Sequence, residues 1–182
     1  MNVADEANGF WEMLKKRIKF PKSTKIVVSE SHAMAYYIAK ENGCDSVYSF
    51  DAHSDLGYGG IKSLDFEVNC ANWLGKLLND KIVSDAKIIY SPYTNENPND
   101  FEEINNSFDI SYCGISDISC KNVSPIIHIC RSGCWSAPWL DKKLLDFVEK
   151  SSFKYTLLDC EDRLWNPNKI NLAQQIDYML YG

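Results

Sequence analysis

Apolar positions recur with a helical period near the start of the chain. Phe10, Trp11, Leu14 and Ile18 fall on one stripe between Glu6 and Lys19, which predicts an amphipathic helix closed by Pro21. The pattern then shortens. Lys25 to Ser29 (KIVVS) is a β-branched run that predicts a strand, and a helical stretch follows from about His32 to Glu41, ended by Asn42-Gly43. Ser46 to Phe50 (SVYSF) predicts the next strand and delivers Asp51 at its C-terminal end. Beyond the glycine-rich loop 57–60, a helix is predicted from Asn69 to Leu78 and a strand from Ala86 to Tyr90. Residues 91–107 (SPYTNENPNDFEEINNS) are polar and rich in turn formers, a loop with one helical turn and a candidate lid. Further strands are predicted at Phe108 to Tyr112, Pro125 to Cys130 and Phe153 to Leu158. Helices are predicted from Leu140 to Lys150 and from about Leu172 to the end.

Strands alternating with helices imply an α/β fold of three layers, a mostly parallel sheet covered by helices on both faces. With 182 residues and neither a repeat nor a linker, one domain over 1–182 is expected. Hydrophobic residues at 45% and charged residues at 24% fit an ordinary packed core. No apolar run reaches the roughly 20 residues that span a bilayer, and the first residues lack a signal-peptide pattern, so no membrane partner and a cytoplasmic location are expected. Seven cysteines, an odd number, fit reduced thiols better than a disulfide framework. His128, Cys130 and Cys134 lie in or beside an apolar run without a Cys-x2-Cys pair, which favours structural thiols over zinc. A net charge of −6 without a basic stripe argues against nucleic acid as a partner and favours a cationic substrate.

The chemistry concentrates in Asp51-Ala52-His53-Ser54-Asp55. In an extended segment, positions i, i+2 and i+4 point to one side, so Asp51, His53 and Asp55 would face one point. Carboxylates with imidazole, and no thiolate, suit hard or borderline divalent ions such as manganese. His32 follows the first strand, and Asp159-Cys160-Glu161-Asp162 follows the last. If these strands are neighbours, His32, the Asp51 to Asp55 trio and the Asp159/Glu161 pair meet on one rim, six ligands for two metals. Each residue alone has a plainer reading, as a helix-start His, a capping or turn Asp, or a solvated acid.

The order His, then Asp-Ala-His-x-Asp, then a strand-end Asp-x-acid resembles the arginase and agmatinase (ureohydrolase) superfamily. Four local stretches are similar to a short arginase-like branch containing peptide arginases: Val27-Val28-Ser29-Glu30-Ser31-His32, Phe50 to Leu56, Asn72-Trp73-Leu74, and Cys130 to Trp135 with Pro138-Trp139. The resemblance implies an arginase/deacetylase-like fold and two Mn2+ ions, with other divalent ions as alternatives. It implies a precursor-peptide partner whose arginine side chains become ornithine. Carried over, it makes Asp51 and Asp159 bridging ligands, with His32 and Asp55 completing one metal and His53 and Glu161 the other. The family has Asp where Glu161 stands, which leaves Asp162 as an alternative ligand, and the family's guanidinium-contacting Glu has no downstream counterpart. Glu30 and Glu67 are the candidate substitutes.

Two divalent ions sharing a water would make it nucleophilic near neutral pH, with Asp55 orienting it. A proton donor is needed near the leaving nitrogen, and His128 is the remaining histidine. Its apolar setting equally fits a hydrogen-bonded core histidine. Arg131 to Trp139 carries Trp135 as a candidate peptide-binding aromatic, while Arg131 is expected to pair with an acid. The alternatives are another C–N hydrolysis, agmatinase-like or amine-deacylating, and a non-catalytic binding domain stabilised by metal.

Overall fold

The computed structural model describes residues 3–118 and 123–163, with Ala173 and Ile176. The helix expected from about Leu172 lies outside the described residues but for those two. The chain forms two compact units, one of residues 1–31 with 119–182 and one of residues 32–118.

The first unit contains helix α1 (Val3–Arg17), strand β1 (Lys25–Ser29), strand β5 (Ile126–Cys130), helix α5 (Asp141–Lys150) and strand β6 (Lys154–Leu158). Its sheet has the order β5-β1-β6 and is parallel throughout, with Ser29 opposite both Cys130 and Leu158. The apolar members of KIVVS explain the central place of β1, because Ile26 and Val28 are almost wholly buried. Helix α1 packs on α5 through its aromatic stripe. The rings of Trp11 and Phe147 lie 5.0 Å apart, and the buried indole donates its N–H to Phe147 O at 2.8 Å, so burial leaves no orphan donor. Lys15 donates to Ser151 O at 2.7 Å and fastens the end of α1 to the end of α5.

The second unit contains helix α2 (Ala33–Glu41), strand β2 (Ser46–Asp51), helix α3 (Trp73–Asn79), strand β3 (Asp85–Tyr90), the short helix α4 (Glu102–Asn105) and strand β4 (Asp109–Tyr112). The sheet order is β2-β3-β4, again parallel, with Asp51 opposite Tyr90. Its core joins Leu56, Leu74, Leu77, Ala86, Ile88, Phe101 and Ile104. Helix α2 ends where expected. Asn42 donates its backbone N–H to Ile38 O, and Gly43 adopts φ +59°, a left-handed geometry that glycine reaches at little cost. Tyr36 on α2 donates to Asp80 Oδ2 at 2.6 Å beyond α3. Burial, and then Asp80, push this phenol up to about 12.

Two expectations change. Helix α3 starts at Trp73 rather than Asn69, because Asn69 and Asn72 spend their side chains on local backbone. Asn72 Oδ1 accepts from Asn69 N at 2.8 Å and Asn69 Oδ1 from Ala71 N at 2.9 Å, contacts that compete with a helical turn. The parallel α/β class holds, but the single sheet implied by the alternation is replaced by two three-stranded sheets among the described residues. Alternation specifies parallel pairing within each sheet and is silent on which strands share a ladder. No helix among the described residues is long and apolar enough to cross a membrane.

Candidate metal centre

Strand β2 carries Asp51 to the C-terminal rim of its sheet, where the chain leaves the ladder. Asp51 Oδ1 accepts the backbone N–H of His53 at 3.1 Å, which turns the segment sharply after the strand. Asp55 adopts φ +53°, a left-handed conformation that aspartate tolerates better than most side chains. That turn places the Asp55 carbonyl over the start of α3, where it accepts from Leu74 N at 3.1 Å and Gly75 N at 3.4 Å. The approach is close enough that a Cβ on Gly75 would collide with Leu56 O. Glycine is required there.

His32, just before α2, lies between the two aspartates. Its Nε2 is 3.3 Å from Asp51 Oδ2 and its Nδ1 is 3.0 Å from Asp55 Oδ2. Asp55 is buried, and the indole of Trp73 donates to the same Oδ2 at 2.7 Å. His53 stands outside this trio with its side chain 65% exposed, its Nδ1 3.6 Å from Asp51 Oδ1.

A loop from the neighbouring strand binds the whole segment. After β3, Ser91 N donates to Asp51 O at 2.7 Å, and Thr94 Oγ1 donates to Ala52 O at 2.5 Å. Ser54 N donates to Glu96 Oε2 at 2.8 Å. Glu96 is itself held by the phenols of Tyr58, 2.5 Å from Oε1, and Tyr90, 3.1 Å from Oε2. Burial first, and then the Glu96 carboxylate, push both phenols above the usual tyrosine range. The loop expected to serve as a lid is therefore tied down at its start. Its continuation, Pro98–Phe101 and α4, is anchored by buried Phe101 and Ile104.

One ligand atom each from His32, Asp51 and Asp55 lies within 4.8 Å of the others. An octahedral cation with bonds of about 2.1 Å would set adjacent donors about 3 Å apart and opposite donors about 4.2 Å apart. Donor atoms within 4.8 Å of one another lie near that range. Two carboxylates and an imidazole are also the donor set a hard or borderline divalent cation takes. If one imidazole nitrogen faces a cation, the other keeps a carboxylate partner, the arrangement that fixes the tautomer of metal-bound histidines. The residues fit the group.

The other expected residues lie in the first unit, except Glu67, which is exposed in the second and whose backbone carbonyl accepts from Asn72 Nδ2. Asp159, at φ +55°, follows β6 and accepts from Glu30 N at 2.9 Å. The Glu30 carboxylate is gripped by Arg131 through Nε and Nη2, both at 2.5 Å from Oε2. A Cβ on Gly133 would overlap that carboxylate, so glycine leaves it room. Arg131 also reaches Asp141 and donates to the backbone carbonyl of Glu161 at 2.8 Å. Asp141 is shared with Arg163. Glu161 and Asp162 are exposed, as is Trp135 at 85%. His128 Nε2 lies 2.7 Å from Ser29 Oγ, which also lies 3.0 Å from Ser31 O. The six described cysteines form no disulfide.

Sequence reading passed over Trp73 as a hydrogen-bond donor and did not single out Thr94 or Glu96. The signal for Trp73 was present in Asn72-Trp73-Leu74, but an indole on a helix reads as packing until its acceptor is known. Nothing in a turn-rich loop distinguishes Glu96 from its acidic neighbours. No protein-family model matches the chain, and no curated protein or solved structure matches it.

Proposed function

We propose that the chain is a divalent-cation-dependent hydrolase of C–N bonds. Its substrate is the guanidinium group of arginine within a peptide, converted to ornithine with release of urea. The observation that carries this reading is the convergence of His32 with Asp51 and Asp55, donors separated in sequence and gathered at a strand-end rim. The substrate part rests on the likeness of the Phe50 to Leu56 and Val27 to His32 stretches to peptide arginases. Charge favours it as well, since no lysine or arginine pairs with Asp51, Asp55 or Glu96 among the described residues.

In the net reaction, one water adds its oxygen to the guanidinium carbon. The bond from that carbon to Nε breaks, and the leaving amine takes up a proton. His32, Asp51 and Asp55 would hold a divalent cation, and the chemistry it would supply is Lewis acidity toward water near neutral pH. Asp55 has Oδ2 fixed by Trp73 and His32, which leaves Oδ1 as the atom that would meet the cation and orient water by accepting a hydrogen bond. The acidic rim attracts the cationic side chain of the substrate.

The test is incubation of the manganese-loaded protein with arginine-containing peptides, free arginine and agmatine, followed by mass spectrometry and a urea assay. Peptides are expected to lose the amidino mass at arginine with an equal yield of urea. Turnover of agmatine or free arginine alone would refute the peptide substrate. No turnover of any of the three, with manganese bound, would refute the hydrolase reading.

A further inference from the structure

We infer that Glu96 is a positioning residue for this centre. Its carboxylate holds the backbone between His53 and Asp55 in the conformation that lets Asp51 and Asp55 share His32. The inference rests on the reading of His32, Asp51 and Asp55 as a cation site, and it adds the part of the chain that sets their spacing. Three consecutive hydrogen bonds from one loop meet the ligand segment: Ser91 N on Asp51 O, Thr94 Oγ1 on Ala52 O, and Glu96 Oε2 on Ser54 N. Thr94 Oγ1 also accepts from Glu96 N at 3.1 Å, so the last two clamps are coupled.

Glu96 is not itself a ligand. A carboxylate has about four acceptor positions, and three are taken by Ser54 N and the two phenols. It also stands outside the group of donor atoms that approach one another. The phenols keep the carboxylate facing the Ser54 amide, and a charged acceptor binds an amide about twice as strongly as a neutral one. Ser54 is fully buried, and it is its backbone N–H that Glu96 holds. Ser54 and Glu96 are 42 residues apart, which makes the bond a tertiary one that local turn geometry does not supply.

The experiment compares wild type, Glu96→Ala, Glu96→Gln and Tyr58→Phe. Affinity for Mn2+ is read from the electron paramagnetic resonance of free ion, and ligand geometry from the visible spectrum with Co2+. Wild type is expected to bind both ions. Glu96→Ala should keep its circular dichroism, bind Mn2+ about 10–100-fold more weakly and shift the Co2+ bands, the scale on which supporting hydrogen bonds tune metal sites. Glu96→Gln, whose amide oxygen still accepts from Ser54 N, should recover part of the affinity. Tyr58→Phe keeps the test open if Glu96→Ala does not fold, and should show a smaller loss of the same kind. Unchanged affinity and spectrum in the Glu96 variants, or in Tyr58→Phe where those do not fold, would overturn the positioning role and leave the cation site standing. A wild type that binds neither ion would overturn the site and the inference with it.

Discussion

The two sheets end in rims whose acids meet different partners. Beyond β1, β5 and β6, the acids Glu30 and Asp141 are each met by guanidinium groups, with Arg131 bridging both and Arg163 closing on Asp141. Arginine is charged at every accessible pH, so the charges of Glu30 and Asp141 are offset permanently by the chain's own cations. Beyond β2, Asp51 and Asp55 share one imidazole, and Glu96 is satisfied by neutral donors. No lysine or arginine pairs with these carboxylates among the described residues, so this rim has a deficit of fixed positive charge. The two rims have the same topology and similar acids. What separates a structural ion network from a candidate cation site is whether the neutralising charge is built into the chain.

Asp55→Asn tests the rim with the deficit and should have the largest effect. Loss of a charged ligand is expected to weaken Mn2+ by more than the roughly 10–100-fold that a supporting hydrogen bond is worth. Titration calorimetry of the variant beside wild type measures it, and equal affinities would dissolve the distinction between the rims. Arg131→Met tests the other rim. It leaves Glu30 without its guanidinium partner and Asp141 with Arg163, and is expected to lower stability by about 2–3 kcal/mol in urea unfolding while leaving Mn2+ affinity unchanged. A change in metal affinity would mean that the networks are not separate in function.

The smallest effect is the response to alkali. The phenols of Tyr36, Tyr58 and Tyr90, all in the second unit, are raised by burial and by their carboxylate partners. The unfolded chain loses these protons first, at about pH 10. Their stabilisation is therefore complete below that pH and falls as pH rises from there through the folded values, near about 12 for Tyr36. Hydrogen exchange at rising pH should show amides of β3 losing protection before those of β1, and Tyr36→Phe should flatten the trend. Parallel loss in both sheets would remove this difference.

Much of the local structure could be read from the pattern of residues. The β-branched KIVVS run, the Asn42-Gly43 stop and the turn-rich 91–107 loop correspond to β1, the end of α2 and the anchored loop before β4. Each depends on neighbours in sequence, through side-chain period and backbone preference. The start of α3 was not legible, because Asn69 and Asn72 trade a helical turn for side-chain bonds that composition does not announce. The acids Asp51 and Asp55 were legible as strand-end carboxylates, but alternation is not what brings them together, because the chain turns after Asp51, His53 stands outside the trio and the imidazole comes from His32.

By itself the sequence determined a parallel α/β chain, the identity of its strand-end acids and histidines, and a negative charge that favours a cation. Only tertiary structure decided which acids were already neutralised. Glu30 and Asp55 look alike as carboxylates beside strand ends, yet one meets Arg131, distant in sequence, and the other meets His32 and Trp73. The physical reason is that electrostatic energy depends on distances across the fold. Those distances are set by packing, by a left-handed turn at Asp55 and by the close approach at Gly75, not by spacing along the chain.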